Sequence, residues 1–154
     1  MTEKILIPLD GSKVGEAALD VVKNVITKFS PDIKVEVTLL RVLTSLSHYF
    51  TTGWASVQVL YTPDELERIK KAAIDYLMKA GEPLANLNAS INLKVAIGNA
   101  ADEILKIAEE INADLIAMST HGRSGISRWV LGSVADHVLR SGNRPILVVR
   151  ASKQ

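Results

Sequence analysis

The sequence predicts an α/β fold: one doubly wound domain over residues 1–154, with a five-stranded parallel sheet and helices on both faces. Segments with strand-like and helix-like spacing of apolar residues alternate along the chain. The strand-like segments are mostly apolar at every position, which is typical of parallel strands that helices cover on both sides. Apolar residues make up 47% of the 154 positions, enough to form such a core.

Five short apolar runs are the predicted strands. Two of them end at Gly-containing turns, Asp10-Gly11-Ser12 and Gly98-Asn99, and turns of this composition commonly end strands. The runs are Lys4–Leu9, Lys34–Leu43, Ile91–Ile97, Asp114–Met118 and Pro145–Arg150.

Each of the four intervening helices has a start signal. Ser12 is predicted to be the N-cap of the first helix and Asn99 that of the third. Thr62-Pro63-Asp64-Glu65 combines an N-cap Thr with Pro at the first helical position and Glu at the third. The segment Ser133-Val134-Ala135-Asp136 has the form of a capping box and predicts a fourth helix from Ser133.

Residues 44–61 have no clear period and are predicted to be irregular. Five of the chain's few rings fall in this segment: His48, Tyr49, Phe50, Trp54 and Tyr61. A long irregular segment in a compact domain is usually functional or disordered. It could form a flap over a ligand or a partner surface, or it could pack on one of the protein's own helices.

The composition excludes several classes of site. The chain has no Cys, which rules out disulfides, thiolate zinc sites, iron–sulfur clusters and a Cys nucleophile, and three His argue against a His-rich metal site. A net charge of +1 gives no reason to expect binding to nucleic acid or to a membrane surface. With no leader-like N-terminus and no apolar run near the ~20 residues of a membrane span, we expect a cytoplasmic protein.

Charge and turn residues both single out the last third of the chain. Residues 121–154 hold six Lys or Arg and one acid, whereas residues 1–120 carry an excess of acids. Basic residues at helix ends could explain this, but so could a local anion site. The stretch from Ser119 to Ser133 is rich in Gly, Ser and Arg directly after an apolar strand, and Gly lets backbone N–H groups approach an anion. The helix predicted to start at Ser133 would add its N-terminus as a phosphate site.

Other phosphate-binding and catalytic motifs are absent from the chain or incomplete. The chain contains no GxxxxGK[ST] and no GxGxxG, so neither a P-loop nor a Rossmann dinucleotide site is predicted. Gly122-Arg123-Ser124-Gly125 resembles the start of a nucleophile elbow, but Ile126 stands where the second Gly is needed. We therefore interpret Ser124 as a loop residue, and His121 as a structural or ribose-contacting residue with no readable carboxylate partner.

The chain is similar to the universal stress protein family. The family's nucleotide-binding signature is Gly-x-x-Gly, then nine residues, then Gly-Ser or Gly-Thr. The segment from Ser119 to Ser133 matches it at Gly122, Gly132 and Ser133, and has Ser119 in place of the first Gly. The resemblance extends to residues 5–12, to 39–42 on the second strand, to Gly98 and the helix after it, and to 145–149.

The resemblance implies a sheet of order 3-2-1-4-5 and an ATP site, with Mg²⁺, at the switch point between strands one and four. Pro8 and Asp10 would line the adenine and ribose end, and Val42 would meet adenine through its backbone. The remaining residues would surround the ribose and phosphates: Ser119, Thr120, His121, Gly122, Arg123, Ser124, Gly125, Gly132, Ser133, Val134 and Ala135.

Four functions remain open from the sequence. The first is an ATP-binding stress or signalling module with slow hydrolysis or none. The others are an active ATPase or nucleotide hydrolase, an AMP or cyclic-nucleotide sensor, and a nucleotide-free dimeric interaction protein. Phosphoryl transfer needs an oriented nucleophile and a metal clamp, and the sequence shows no general base, so efficient catalysis is not expected.

A homodimer through residues 145–150 is also predicted. In the order 3-2-1-4-5 this strand lies at an edge, where Pro145 is tolerated. Four consecutive branched apolar residues, 146–149, would leave that edge prone to aggregation. Antiparallel pairing with a second copy about a two-fold axis, which the family resemblance also implies, would cover it.

Overall fold

The structure is a computed structural model that describes residues 1–44, 47–121 and 131–151, with the backbone alone at 48–52 and 121. The strands are β1 (Thr2–Pro8), β2 (Lys34–Leu43), β3 (Ser47–Thr52), β4 (Ala55–Leu60), β5 (Ala89–Ile97), β6 (Leu115–His121) and β7 (Ile146–Ala151). The helices are α1 (Ala17–Ile26), α2 (Pro63–Gly81), α3 (Ala100–Glu110) and α4 (Ser133–Ser141), with a short 3-10 helix, Glu82–Leu84, after α2.

Five strands form one parallel sheet in the order β5-β2-β1-β6-β7. When only the five strands of this sheet are numbered in chain order, this is the expected order 3-2-1-4-5. The labels differ because β3 and β4, which form a separate hairpin, lie between β2 and β5 in the chain. The α/β sandwich is therefore confirmed, with the order reversing between β1 and β6. Ligands of open parallel sheets bind at such a switch point, beyond the carboxyl ends of the strands.

The core is divided between the two faces of the sheet. Ile7 packs in a cluster with residues of α1 and α2, whereas its neighbour Leu6 belongs to a cluster with residues of α3 and α4. Both side chains are fully buried. Since successive side chains of a strand point to opposite faces, an apolar run such as that of β1 supplies both layers at once.

The prediction of an irregular segment over 44–61 is wrong. The backbone forms an antiparallel hairpin, β3–β4, closed by a two-residue loop, Gly53-Trp54, with Thr52 opposite Ala55. Gly53 has φ +60°, a conformation that suits Gly at the first position of a tight hairpin loop. All six residues of β4 are exposed, so this strand buries neither face, and its alternation covers only Ser56-Val57-Gln58-Val59.

Two of the four predicted helix starts are confirmed in detail. The Thr62 hydroxyl accepts a hydrogen bond from the Glu65 backbone N–H (3.2 Å), and the Glu65 carboxylate accepts one from the Thr62 N–H (2.7 Å). Asn99 caps α3 by accepting a bond from the Asp102 N–H at 3.1 Å. Within the described residues, no helix is both long and apolar enough to cross a membrane.

The predicted caps of the first and fourth helices are wrong. The helix α1 begins at Ala17, well after Ser12, because the Ser12 hydroxyl is bonded to Asp10 in the preceding turn. The helix α4 does begin at Ser133, but its N-cap is Gly132 and no side chain caps it. Gly132 takes the extended conformation of an N-cap, and its carbonyl accepts the first helical bond from the Asp136 N–H at 2.9 Å.

Candidate functional site

A cavity of about 430 Å³ lies beyond the carboxyl ends of β1, β2 and β6 and is closed on one side by the start of α4. Its volume falls within the ~300–1,000 Å³ of small-molecule sites. It is lined by Pro8, Leu9, Asp10, Val14, Gly15, Leu40, Arg41, Val42, Thr44, Ala100, Ile104, Met118, Ser119, Thr120, Gly132, Ser133, Val134 and Ala135.

The cavity brings together nine of the residues that the sequence singles out. These are Pro8, Asp10, Val42, Ser119, Thr120, Gly132, Ser133, Val134 and Ala135. Gly122, Arg123, Ser124 and Gly125 lie outside the described residues, and His121 is described only as the backbone end of β6. That any of these residues binds a nucleotide stays a prediction.

Asp10 is held by the turn that follows β1. Its Oδ1 accepts hydrogen bonds from the Ser12 backbone N–H at 2.9 Å and from the Ser12 hydroxyl at 2.6 Å. The Ser12 Oγ in turn accepts a bond from the Gly15 N–H at 3.0 Å. A β-carbon at position 15 would lie 2.5 Å from Asp10 Oδ1, so only Gly allows this close approach.

The Asp10 carboxylate is kept ionised. Burial alone would raise the pKa of Asp10, but the hydrogen bonds from Ser12, together with the positive charge of Arg41, outweigh it and lower the pKa. An ionised carboxylate only accepts hydrogen bonds, so it suits ligand groups that donate them, such as the hydroxyls of a sugar.

Ser119 joins the end of β6 to the start of α1. Its hydroxyl accepts a hydrogen bond from the Ala18 N–H at 2.8 Å and donates one to the Gly15 carbonyl at 2.9 Å. The N-cap residue of α1, Glu16, makes no side-chain cap, so Ser119 supplies an acceptor for one of the four free N–H groups at this helix start. Ser119 also fixes the turn that carries Asp10.

The start of α4 forms the opposite wall of the cavity. Gly132, Ser133, Val134 and Ala135 all line it, and the first N–H groups of a helix with its positive dipole end favour an anion there. A β-carbon on Gly132 would meet no atom of the described residues within 4 Å. Among the described residues, nothing fills the space beside Gly132, so this wall can accept a ligand.

The wall above β2 and β6 is apolar. Leu40, Val42, Ile104 and Met118 are all buried and line the cavity. Such a surface suits a flat ring system. The Val42 carbonyl accepts a hydrogen bond from Arg41 Nη1 at 3.1 Å, which leaves one of its two lone-pair directions for a ligand.

Sequence reasoning missed Arg41. A charged residue near the carboxyl end of the otherwise apolar run Leu39–Leu43 was the available signal, because a buried strand rarely carries one without a reason. The apolar lining residues Leu40, Ile104 and Met118 carry no such signal, since they have the same composition as the core.

The cavity offers an apolar wall, one carboxylate, one guanidinium and a helix N-terminus. Its described lining includes neither His nor Cys, and no group of three or more His, Asp or Glu within the described residues is placed to hold a metal ion. The arrangement is suited to binding a small molecule with an apolar ring, hydroxyl groups and an anionic end.

Comparison with known proteins assigns a family. The sequence profile of the universal stress protein family matches residues 1–150. Universal stress protein MJ0531 of Methanocaldococcus jannaschii is 30% identical over 155 residues, covering 99% of this chain and 84% of that protein.

Solved structures share the fold. The structure of MJ0577, also from M. jannaschii, superposes with a TM-score of 0.71 at 26% identity over 99% of this chain and 98% of that one. A family member from Arabidopsis thaliana with AMP bound has a TM-score of 0.60 over 97% and 92% of the two chains; at 10% identity it shares the fold alone. The profile match and the conserved architecture agree: the chain belongs to the universal stress protein family.

Proposed function

We propose that the protein binds ATP, together with Mg²⁺, in the cavity between β1, β2, β6 and α4, and that it acts as a nucleotide-binding stress or signalling module. One observation supports this most: nine residues picked out by the nucleotide-binding signature and its companion segments line a single cavity at the switch point of the sheet. A fold relative with AMP bound is consistent with a nucleotide in this family.

Adenine, ribose and phosphates would each contact a different wall of the cavity. Adenine would lie against Leu40, Ile104 and Met118, with its edge at the Val42 backbone. The ribose would donate a hydroxyl hydrogen bond to Asp10. The phosphates would reach the N-terminus of α4 at Gly132 and Ser133, where backbone N–H groups and the helix dipole favour negative charge.

Mg²⁺ would be bound mainly through the phosphates. Asp10 is the one carboxylate in the described lining, and Mg²⁺ usually takes one or two carboxylates, the phosphates of a nucleotide and several waters. The lining therefore fits a metal that arrives with ATP. ATP should bind more tightly with Mg²⁺ than with an excess of chelator.

Hydrolysis by this site should be slow. Asp10 is the one acidic acceptor in the described lining, its Oδ1 is bonded to Ser12, and a pKa below the usual range makes it a weak base. We expect turnover far below the ~1–100 s⁻¹ of kinases. A single-turnover assay with labelled ATP and Mg²⁺ tests this, and rapid phosphate release would show that a catalytic group lies in the site.

Calorimetric titration with ATP tests the binding site. Gly132→Val should weaken ATP binding at least tenfold, because Gly132 lines the cavity at the proposed phosphate end and the added side chain would compete with the phosphates for space there. Ala72→Val, at an exposed position of α2, adds a similar volume far from the cavity and should bind like the wild type. Equal affinities for wild type and Gly132→Val would place ATP elsewhere.

We also propose that the protein forms a homodimer through β7. This strand lies at the edge of the sheet, and Ile146, Leu147, Val148 and Val149 are half-buried with no charged residue among them. Antiparallel pairing of β7 with its copy about a two-fold axis would satisfy the open backbone groups of both edges.

The backbone geometry identifies the substitution that tests this dimer. The Pro145 carbonyl accepts a bond from Ile116 N–H, so residues 145, 147 and 149 face β6, whereas 146, 148 and 150 face outward. Val148→Pro should remove an outward donor and give monomers in light scattering, whereas Val148→Ala should stay dimeric. A monomeric wild type at micromolar concentration, or a dimeric Val148→Pro variant, would exclude this interface.

A further inference from the structure

Arg41 is the one positively charged side chain among the described residues that line the cavity. It is half-buried near the end of β2, and its Nη1 donates to the Val42 carbonyl at 3.1 Å. Its Nε and Nη2 lie 3.9 Å from the position that a β-carbon on Gly11 would occupy. The guanidinium therefore lies beside the Asp10-Gly11 turn.

Most N–H donors of the Arg41 guanidinium have no partner among the described residues. Within the described parts of the chain, none of the ion pairs includes Arg41, and its one hydrogen bond goes to Val42. A guanidinium carries five N–H donors, and such groups are usually matched when they are partly buried. Because Arg41 is among the residues that line the cavity, an anionic group of a ligand is the natural partner of these donors.

The position of Arg41 shows which part of the ligand it would meet. In the sheet, β1 lies between β2 and β6, so β2 and β6 are about 10 Å apart at ~4.8 Å per strand. The proposed 5′-phosphate site at Gly132 and Ser133 follows β6, whereas Arg41 lies on β2. Arg41 lies beside the Asp10-Gly11 turn, where the ribose is proposed, and two strands away from the proposed 5′-phosphate site.

We propose that Arg41 binds a phosphate on the 2′ or 3′ hydroxyl of the ribose, so that the cavity favours adenine nucleotides phosphorylated on the ribose as well as at the 5′ position. This inference rests on the proposed function, since it places the ribose at Asp10. Dinucleotide sites use the same chemistry: a carboxylate accepts a free ribose hydroxyl, and a nearby Arg accommodates a ribose phosphate.

Asp10 and Arg41 can serve the two ribose hydroxyls together. The hydrogen bonds of Asp10 within the described residues go to Oδ1, which leaves Oδ2 for the free hydroxyl. Arg41 would bind the phosphate on the other hydroxyl and offset its repulsion by the Asp10 carboxylate. The pair would thereby fix the orientation of the sugar.

Calorimetric titrations with four ligands test the inference: AMP, ADP, adenosine 2′,5′-bisphosphate and adenosine 3′,5′-bisphosphate. ADP carries as many phosphates as the bisphosphates, but both at the 5′ end, so it controls for charge. We expect one of the bisphosphates to bind at least tenfold more tightly than AMP and ADP, because a charge-assisted contact contributes that much. The two bisphosphates distinguish the 2′ from the 3′ position.

Variants assign the preference to Arg41. Arg41→Gln should lose the preference for the bisphosphate over AMP and ADP, and Arg41→Lys should keep part of it. Arg68→Gln, at an exposed position of α2, changes the net charge equally and should keep the full preference.

Three results would overturn the inference. If the wild type binds AMP but shows no preference for either bisphosphate, or if the preference survives in Arg41→Gln, the role of Arg41 is wrong while the nucleotide site stands. If none of the four ligands nor ATP binds, the proposed function itself fails, and the inference fails with it.

Discussion

The Ser119 hydroxyl accepts a hydrogen bond from the backbone N–H of Ala18 at 2.8 Å, across 101 residues of sequence. The same hydroxyl donates to the Gly15 carbonyl, so one side chain joins β6 to both the turn before α1 and the first turn of that helix. Gly15 in turn contacts Asp10 through the Ser12 hydroxyl. Ser119, at the first position of the nucleotide-binding signature, thus supports the carboxylate of the cavity through the backbone.

Ser119→Ala should destabilise the protein by about 1–3 kcal/mol, because a helix N–H and a carbonyl both lose their partner. Urea denaturation measures this. Ser133→Ala is the matched control, since the Ser133 hydroxyl lines the cavity and has no hydrogen-bond partner among the described residues. Equal free energies of unfolding for the two variants would mean that the Ser119 bonds contribute nothing.

Leu6→Ala should cost about 2–5 kcal/mol of unfolding free energy, because Leu6 is fully buried between β1 and the helices α3 and α4. Leu139→Ala, on the exposed side of α4, removes the same atoms from a side chain that is 47% exposed and should cost under ~1 kcal/mol. Comparable losses from both would contradict the placement of the core.

Tyr76 should make stability fall at high pH. Its hydroxyl donates to Glu16 Oε1 at 3.2 Å, and burial with the negative charge of Glu16 raises the pKa of Tyr76 from 10.0 to about 12. A raised pKa means that the unfolded chain loses this proton first, so the contribution is complete below pH 10 and is lost between pH 10 and about 12.

Tyr76→Phe isolates that contribution. The difference in unfolding free energy between wild type and variant, measured by urea denaturation from pH 8 upward, should shrink once the pH passes 10.0. A difference that stays constant over this range would show that the Tyr76 pKa is the same in the folded and unfolded chains.

The β3–β4 hairpin should become more protected when ATP binds. Trp54, Val57, Val59 and Leu60 are exposed, and a two-stranded hairpin is barely stable by itself in water. If the hairpin is a flap over the cavity, ATP should slow amide hydrogen exchange over residues 47–60. Unchanged exchange there, alongside slower exchange at the start of α4, would exclude the flap and leave the partner surface.

Local signals predicted much of the fold. The capping box of Thr62 and Glu65 involves residues three apart, so the sequence alone predicts it correctly. The parallel sheet is equally readable, because strands such as β1 are apolar at nearly every position. The positions of Gly132 and Ser133 beside a cavity were expected for the same reason, since both follow from strand and helix boundaries.

Contacts between distant residues were not predictable. Ser12 has the right identity for an N-cap, yet Asp10 binds its hydroxyl and α1 begins at Ala17. The bond between Ser119 and Ala18 depends on how β6 and α1 pack, and no local pattern shows it. The hairpin was missed because Ser56-Val57-Gln58-Val59 alternates over only four residues and the partner strand β3, SHYFTT, does not alternate at all.

A crystal structure of the protein grown with ATP and Mg²⁺ tests the central claim most directly. The account predicts adenine beside Val42, the ribose at Asp10 and the phosphates at the N–H groups of Ser133 and Val134. ATP bound outside this cavity, or a cavity that stays empty at saturating ATP, would contradict it.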